Sequence, residues 1–177
     1  MKEFYLVLSR SHTTVAMLVR TFTGKYYSHA SLGFTPELDE FHSFGRKNPK
    51  RMLPAGYITE GIDDGYFGMW PNTKILVLKG HLEDEDFELL QERIRGFEID
   101  RKRYRYNIMG LVTSYIGIPW HRAKHYTCSG FVAYLFRDIL DFGKDYSLVE
   151  PEDFYKFDFE KIYEGTAGEY DYEKLSI

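Results

Sequence analysis

Cys128 is the only cysteine in the chain, and it stands where a helix is predicted to begin. Apolar residues follow it at the three- and four-residue steps of one buried helical face, at Val132, Leu135, Phe136, Ile139 and Leu140. Thr127 or Ser129 could cap this helix. A thiol in the first turn faces unpaired N–H groups and the positive end of the helix dipole, and both favour the thiolate. Cys128 is therefore a candidate nucleophile, although a lone cysteine is also commonly a small buried hydrophobic residue.

A reactive thiolate needs a base or ion-pair partner, normally a histidine that the fold brings in from elsewhere. Residues 28–34 alternate in polarity and predict a half-buried strand, with His29 at its beginning. A second strand over 40–44, which carries His42, is predicted to return as a hairpin. Both histidines are thus candidates for the partner of the thiol.

The remaining elements are the ones that must position these residues. Strands are predicted over 4–8 and 74–80, and helices over 13–20, 83–97 and 107–116. The basic segment 46–51 and the aromatic-rich loop that continues to residue 71 are expected to form a wall of a pocket or a lid. Together the elements predict a single α+β domain, residues 1–177, with an antiparallel sheet packed by helices, and its acidic tail over 165–177 is expected to be peripheral.

Composition limits the partners of this domain. The chain has 177 residues, a net charge of −4 and 18% aromatic residues, so it predicts an ordered globular protein without a global field for nucleic acid. No run approaches about 18 apolar residues, so no membrane span is expected. A single cysteine and an N-terminus that passes directly into a strand favour a cytoplasmic protein. The sequence does not indicate an oligomeric state.

Two motifs resemble those of the circularly permuted branch of the NlpC/P60 papain-like superfamily. The segment Tyr27–Leu32 resembles the histidine motif of that branch, and the segment Tyr126–Val132 resembles its cysteine motif. Ser9-Arg10-Ser11 resembles the lead-in before the first helix of the family. The resemblance implies a circularly permuted papain-like fold with the nucleophile at a helix N-terminus.

By this resemblance, Cys128 is the nucleophile and His29 is the base. The third member of the family's triad is a polar residue on the next strand, which orients the histidine. His42 matches that position best, and Glu40 and Ser43 are alternates because a shift of one residue reverses the face of a strand.

A Cys–His pair of this kind attacks a carbonyl carbon and forms a thioester. Backbone N–H groups at the start of the helix are natural oxyanion donors, and Tyr126 or Ser129 could add a hydroxyl. The predicted function is a cysteine hydrolase, an amidase or peptidase, that acts on a small peptide-like substrate without a cofactor. Acyl transfer or thioester hydrolysis would use the same residues, and a non-catalytic small-ligand-binding module is the alternative of another class.

Two other patterns have competing interpretations. His121, His125 and Cys128 are spaced as metal ligands would be on one helix, but Pro119 precedes them and no fourth ligand is evident nearby, so no metal is expected. The basic clusters at 46–51 and 101–105 could bind an anionic group, and we interpret them as solvated turns.

Overall fold

The structure, a computed structural model, describes residues 1–10, 26–48, 50–51 and 53–175. In this part of the chain the strands are β1 (Lys2–Arg10), β2 (His29–Gly33), β3 (Phe41–Arg46), β4 (Ala55–Glu60), β5 (Lys74–Leu82), β6 (Arg105–Tyr106), β7 (His125–Tyr126) and β8 (Glu160–Thr166). The main sheet is six-stranded, with the order β4-β3-β2-β1-β5-β8, and every neighbouring pair is antiparallel. The short strands β6 and β7 form a separate parallel pair.

The α-helices of the described residues are α1 (Gly65–Met69), α2 (Asp84–Ile99), α3 (Ile108–Ser114), α4 (Cys128–Leu135) and α5 (Tyr172–Leu175). Short 3-10 turns cover Tyr146–Leu148, Pro151–Lys156 and Ala167–Glu169. The longest helix, α2, has three acidic residues in its first turn, where they face the positive end of the helix dipole. Its buried face consists of Phe87, Leu90, Ile94 and Phe97.

The sheet has a hydrophobic core on each face, because side chains alternate along its strands. On β1, Phe4, Leu6 and Leu8 face the larger core, which α2 and α4 cover. Tyr5 and Val7 face the smaller core, together with residues of α1 and of the C-terminal 3-10 turn. The protein is therefore a mixed α+β fold with an antiparallel sheet packed by helices, as predicted.

Most of the predicted elements are present. The strands predicted over 4–8, 28–34, 40–44 and 74–80 and the helices over 83–97 and 107–116 are confirmed, with small changes at their ends. The helix predicted over 13–20 lies outside the described residues. Within the described residues, none of the helices combines the length and the apolar character that crossing a bilayer requires.

Two regions differ from the prediction. The segment that was expected to be a loop up to residue 71 contains β4 and α1. The tail predicted to be peripheral begins inside β8, where Gly165 and Thr166 pair with Ile75 and Lys74. Ala167, directly after β8, is buried in the smaller core. The first residues of this tail are therefore part of the sheet and its packing.

Candidate active site

Cys128 lies at the first position of α4, as predicted, and its side chain is almost fully buried. Thr127 is the N-cap, and its hydroxyl oxygen accepts a hydrogen bond from the Gly130 N–H at 3.1 Å. Ser129 does not cap the helix, because its hydroxyl donates to the Val149 carbonyl oxygen at 2.5 Å. The remaining N–H groups of the first turn point out of the helix start, where the Cys128 thiol lies.

The strands β2 and β3 separate next to Cys128. Their register ends at the pair Leu32 and His42, so the ladder does not continue to Ala30. In place of a backbone hydrogen bond from β3, the Ser43 hydroxyl donates a hydrogen bond to the Ala30 carbonyl oxygen at 2.9 Å. Cys128 lies at this end of β2, because its sulfur is 3.8 Å from the Ser28 carbonyl oxygen and accepts a hydrogen bond from the Ala30 N–H.

Ser43 also determines which nitrogen of His29 carries a proton. Its Oγ lies 3.0 Å from His29 Nε2, and its single hydroxyl proton is already donated to Ala30. The Ser43 oxygen must therefore accept a hydrogen bond from the His29 Nε2–H. Nδ1 is then the nitrogen that is available to take a proton from the thiol.

Cys128 and His29 shift each other's pKa. Burial alone would raise the pKa of the Cys128 thiol, but the charge and hydrogen bond of His29 and the Ala30 N–H lower it to about 7. Burial would lower the pKa of His29, but the Cys128 thiolate and the Glu60 carboxylate raise it. The two groups therefore favour the thiolate–imidazolium ion pair near neutral pH.

Tyr106 is a site residue that the sequence did not indicate. Its hydroxyl donates to Cys128 Sγ at 3.9 Å, and burial together with the nearby thiolate raises its pKa far above the usual value. The phenol is therefore neutral and keeps its proton. The pairing of Tyr106 with Tyr126 in the β6–β7 ladder places it beside the start of α4.

The region predicted to be a wall or a lid contributes two charged groups near His29. Glu60, from β4, raises the pKa of His29, and Arg46, from β3, opposes it. The Arg46 guanidinium lies over the Tyr66 and Trp70 rings, 5.2 and 5.8 Å from their centroids. Whether this region forms a wall or a lid of the site stays a prediction.

His42, the residue predicted to be the third member of the triad, lies on the other face of β3. Its Nδ1 is 2.8 Å from the Tyr57 hydroxyl, and its ring stacks on the Tyr57 ring inside the larger core. Burial lowers the pKa of His42. The alternate Glu40 approaches only the Nε2 of His42, at 3.9 Å. Among the described residues, Ser43 is the candidate that contacts His29, and His42 and Glu40 do not.

Tyr126 packs in an aromatic cluster with Phe44, Phe97, Tyr104, Tyr134 and Tyr146, and it shares a hydrogen bond with Tyr134. It is a core residue, and the hydroxyl beside the sulfur belongs to Tyr106. Neither of the hydroxyls proposed as oxyanion donors, those of Tyr126 and Ser129, is therefore directed at the thiol.

The potential metal ligands of the cysteine segment are engaged separately. His121 contacts the Asp145 carboxylate at 3.1 Å and the Tyr146 hydroxyl at 2.9 Å, and His125 donates to the Ala123 carbonyl oxygen. A different group, formed by Glu40, His42 and Glu98, has potential ligand atoms within 4.8 Å of one another in the described part of the chain. It lies around the His42 ring, away from the Cys128 thiol.

No protein-family model, curated protein or solved structure matches the chain significantly. The chemistry of the site follows from its own geometry. A buried thiol with a depressed pKa, an oriented histidine and a neutral phenol at a helix start are the groups that nucleophilic attack on a carbonyl carbon needs.

Proposed function

We propose that the protein is a cysteine hydrolase in which Cys128 is the nucleophile, His29 the base and Ser43 the residue that orients His29. The observation that carries this proposal is that His29 interacts with two partners: its Nε2 lies 3.0 Å from Ser43 Oγ, and its charge and hydrogen bond help to lower the pKa of the Cys128 thiol to about 7. A structural cysteine in an apolar core would have a raised pKa instead.

The reaction begins when His29 Nδ1 takes the thiol proton and the Cys128 sulfur attacks the substrate carbonyl carbon. The carbonyl π electrons move to oxygen, and the first-turn N–H groups of α4 and the Tyr106 hydroxyl stabilise the oxyanion. When the oxyanion collapses, the leaving amine or alcohol takes the proton from His29 and a thioester remains. His29 then removes a proton from water, and the resulting hydroxide attacks the thioester carbonyl carbon. The C–S bond breaks, the carboxylic acid product leaves, and the sulfur regains a proton from His29.

Ser43 contributes by position. Its oxygen accepts the His29 Nε2–H in both the neutral and the protonated state of the ring, so the ring keeps one orientation and Nδ1 stays available for the thiol proton. Asparagine or a carboxylate often fills this role in Cys–His enzymes, and a serine holds the ring with less charge stabilisation.

The order of the elements supports a circularly permuted papain-like fold of the NlpC/P60 type. The strand that carries His29 precedes the helix that carries Cys128, and the orienting residue is on the strand after His29. The exposed fraction of Cys128 is only 4%, which favours a narrow acyl group, such as that of a small peptide-like amide. Transfer of the acyl group to an amine or alcohol instead of water uses the same residues.

The proposal is tested by intact-mass measurement of the acyl-enzyme. The protein is mixed with p-nitrophenyl acetate, and we expect rapid acetylation that is absent in Cys128→Ser and strongly slowed in His29→Ala. His42→Gln is the matched control, because it changes the neighbouring histidine on the opposite face of β3. Equal acetylation in the parent and in His29→Ala would refute the Cys–His mechanism and leave a binding module. Product analysis with an added simple amine or alcohol separates hydrolysis from acyl transfer, because hydrolysis yields acetate and transfer yields the acetylated amine or alcohol.

A further inference from the structure

The segment between β6 and β7 exposes an unusual number of large apolar side chains. It leaves the fold at Tyr106 and returns at Tyr126, and the Asn107 side chain ties its ends by accepting from the Gly110 N–H and donating to the Trp120 carbonyl oxygen. Its apolar residues are between 44% and 69% exposed: Ile108, Met109, Val112, Ile116, Ile118 and Trp120. We call this set the apolar patch.

Helix α3, within this segment, buries only Gly110. Soluble helices normally bury an apolar stripe against the core and expose a polar face. A contiguous exposed set of aliphatic and aromatic side chains marks a surface that contacts another apolar phase.

Cations flank the apolar patch along the chain, and the Asp145 carboxylate also lies against this segment, 3.1 Å from His121 Nε2. No aspartate or glutamate occurs between residues 101 and 137, in a chain whose net charge is −4. Lys47 of the other basic segment lies beside β6, because Gly56 packs against both the Lys47 side chain and the Tyr104 carbonyl oxygen. Burial and the charges of Arg105 and Arg101 lower the pKa of Lys47. We call the cations that flank the patch the basic rim: Lys47, Arg101, Lys102, Arg103, Arg105 and Arg122.

Little of this charge is neutralised within the protein. Asp100 pairs with Lys124 and with Arg103, the latter at 3.6 Å. In the part of the chain that the structure describes, Lys47, Arg101, Lys102, Arg105 and Arg122 have no carboxylate within ion-pair distance. Like charges that outnumber the counter-charges beside them favour an anionic partner.

We propose that the apolar patch and the basic rim form a docking face for a bilayer that contains anionic lipids. Apolar side chains would enter the headgroup boundary, and the cations would contact lipid phosphates, which is the division of roles in interfacial membrane binding. A second copy of the chain fits this face less well, because a symmetric dimer would place one basic rim against the other. Nucleic acid would contact the cations, but it would leave the aliphatic side chains of α3 in water.

The docking face adjoins the candidate active site but does not depend on its chemistry. Tyr106, whose hydroxyl contacts Cys128 Sγ, directly precedes the Asn107 cap of α3. A docked molecule would therefore hold the start of α4 near the bilayer surface. Membrane binding is expected to be unchanged in Cys128→Ser, so its failure and the failure of the proposed catalysis are distinguishable.

Co-sedimentation with vesicles tests the docking face. The full chain is expected to bind vesicles of phosphatidylcholine and phosphatidylglycerol, to bind pure phosphatidylcholine weakly, and to dissociate with added salt. Removal of each rim cation should weaken binding by about fivefold, so we compare Arg101→Gln/Lys102→Gln/Arg105→Gln with the charge-matched control Lys74→Gln/Lys161→Gln/Lys174→Gln. Ile116→Ser should weaken binding by about tenfold, and Leu175→Ser, at an exposed apolar residue elsewhere, should not.

Tryptophan fluorescence locates the contact. The chain has two tryptophans, so Trp70→Phe leaves Trp120 as the reporter and Trp120→Phe leaves Trp70. Anionic vesicles are expected to shift the emission of Trp120 to shorter wavelength and to leave that of Trp70 unchanged. The proposal would be overturned if the full chain did not bind anionic vesicles, or if the two control variants lost as much binding as the variants of the docking face. It would also be overturned by a dimer that Ile116→Ser dissociates, or by tighter binding to an oligonucleotide than to vesicles.

Discussion

Replacement of His29 by alanine is expected to raise the pKa of the Cys128 thiol from about 7 to about its usual value of 9.0. The burial that raises the pKa remains, and so do the weaker lowering hydrogen bonds from the Ala30 N–H and the Tyr106 hydroxyl, whereas the charge and the hydrogen bond of His29 are lost. Near pH 6, a shift of two pKa units lowers the thiolate fraction by about a hundredfold. A more basic thiolate is intrinsically about tenfold more nucleophilic, so alkylation is expected to slow by about tenfold.

The assay is the rate of iodoacetamide alkylation between pH 5 and pH 10, followed by intact mass. The parent rate should rise with pH through an inflection near 7, because the depressed thiol loses its proton there. Ser43→Ala leaves the His29 Nε2–H without its acceptor, which destabilises the imidazolium and should raise the inflection by about one pKa unit.

His42→Gln is the control for this series, since His42 contacts Tyr57 and lies on the opposite face of β3. It should leave the inflection of the thiol unchanged. The reasoning would be refuted by a parent inflection near 9, or by a shift in His42→Gln as large as the one in Ser43→Ala.

Three further substitutions test single contacts. Tyr106→Phe removes the hydroxyl next to the sulfur and should slow acetylation by about a hundredfold with little loss of stability, as acetylation rates and thermal melting would show. Tyr57→Phe leaves the buried His42 Nδ1 without its partner and should lower the free energy of unfolding by about 1–3 kcal/mol, measured in urea, while alkylation of Cys128 keeps the parent pH profile. Asn107→Ala removes both the cap of α3 and the tie to Trp120 and should cost about 1–2 kcal/mol, and full parent stability in urea would contradict the role assigned to this side chain.

The local sequence pattern was sufficient to predict the helix and the strand that carry Cys128 and His29. The apolar spacing after Cys128 predicts a helix that begins at the cysteine, and the alternation around His29 predicts its strand. The third position could not be chosen in the same way, because His42 and Ser43 are neighbours on opposite faces of one strand. Which face meets the thiol depends on where β2 and β3 separate, and that is a tertiary property.

For three other features, the sequence signals are too weak or too common to predict them. Tyr106 is one of fifteen tyrosines, and its strand is two residues long. Strand β8 has exposed charged residues at its start and lies at the edge of the sheet, so its composition resembles that of a loop. The apolar pattern of α3 predicts a helix but does not say what covers it.

The long sequence separation within the candidate site affects the newly made protein. The Ser28 carbonyl oxygen and the Cys128 sulfur, which are in contact, are 100 residues apart in the chain. At about 5–20 residues per second, translation separates the synthesis of these two residues by about 5–20 s. Strands β1 to β5 have then already been synthesised when α4 follows. The proposed pair of Cys128 and His29 can therefore form only after most of the sheet that carries His29 has been made.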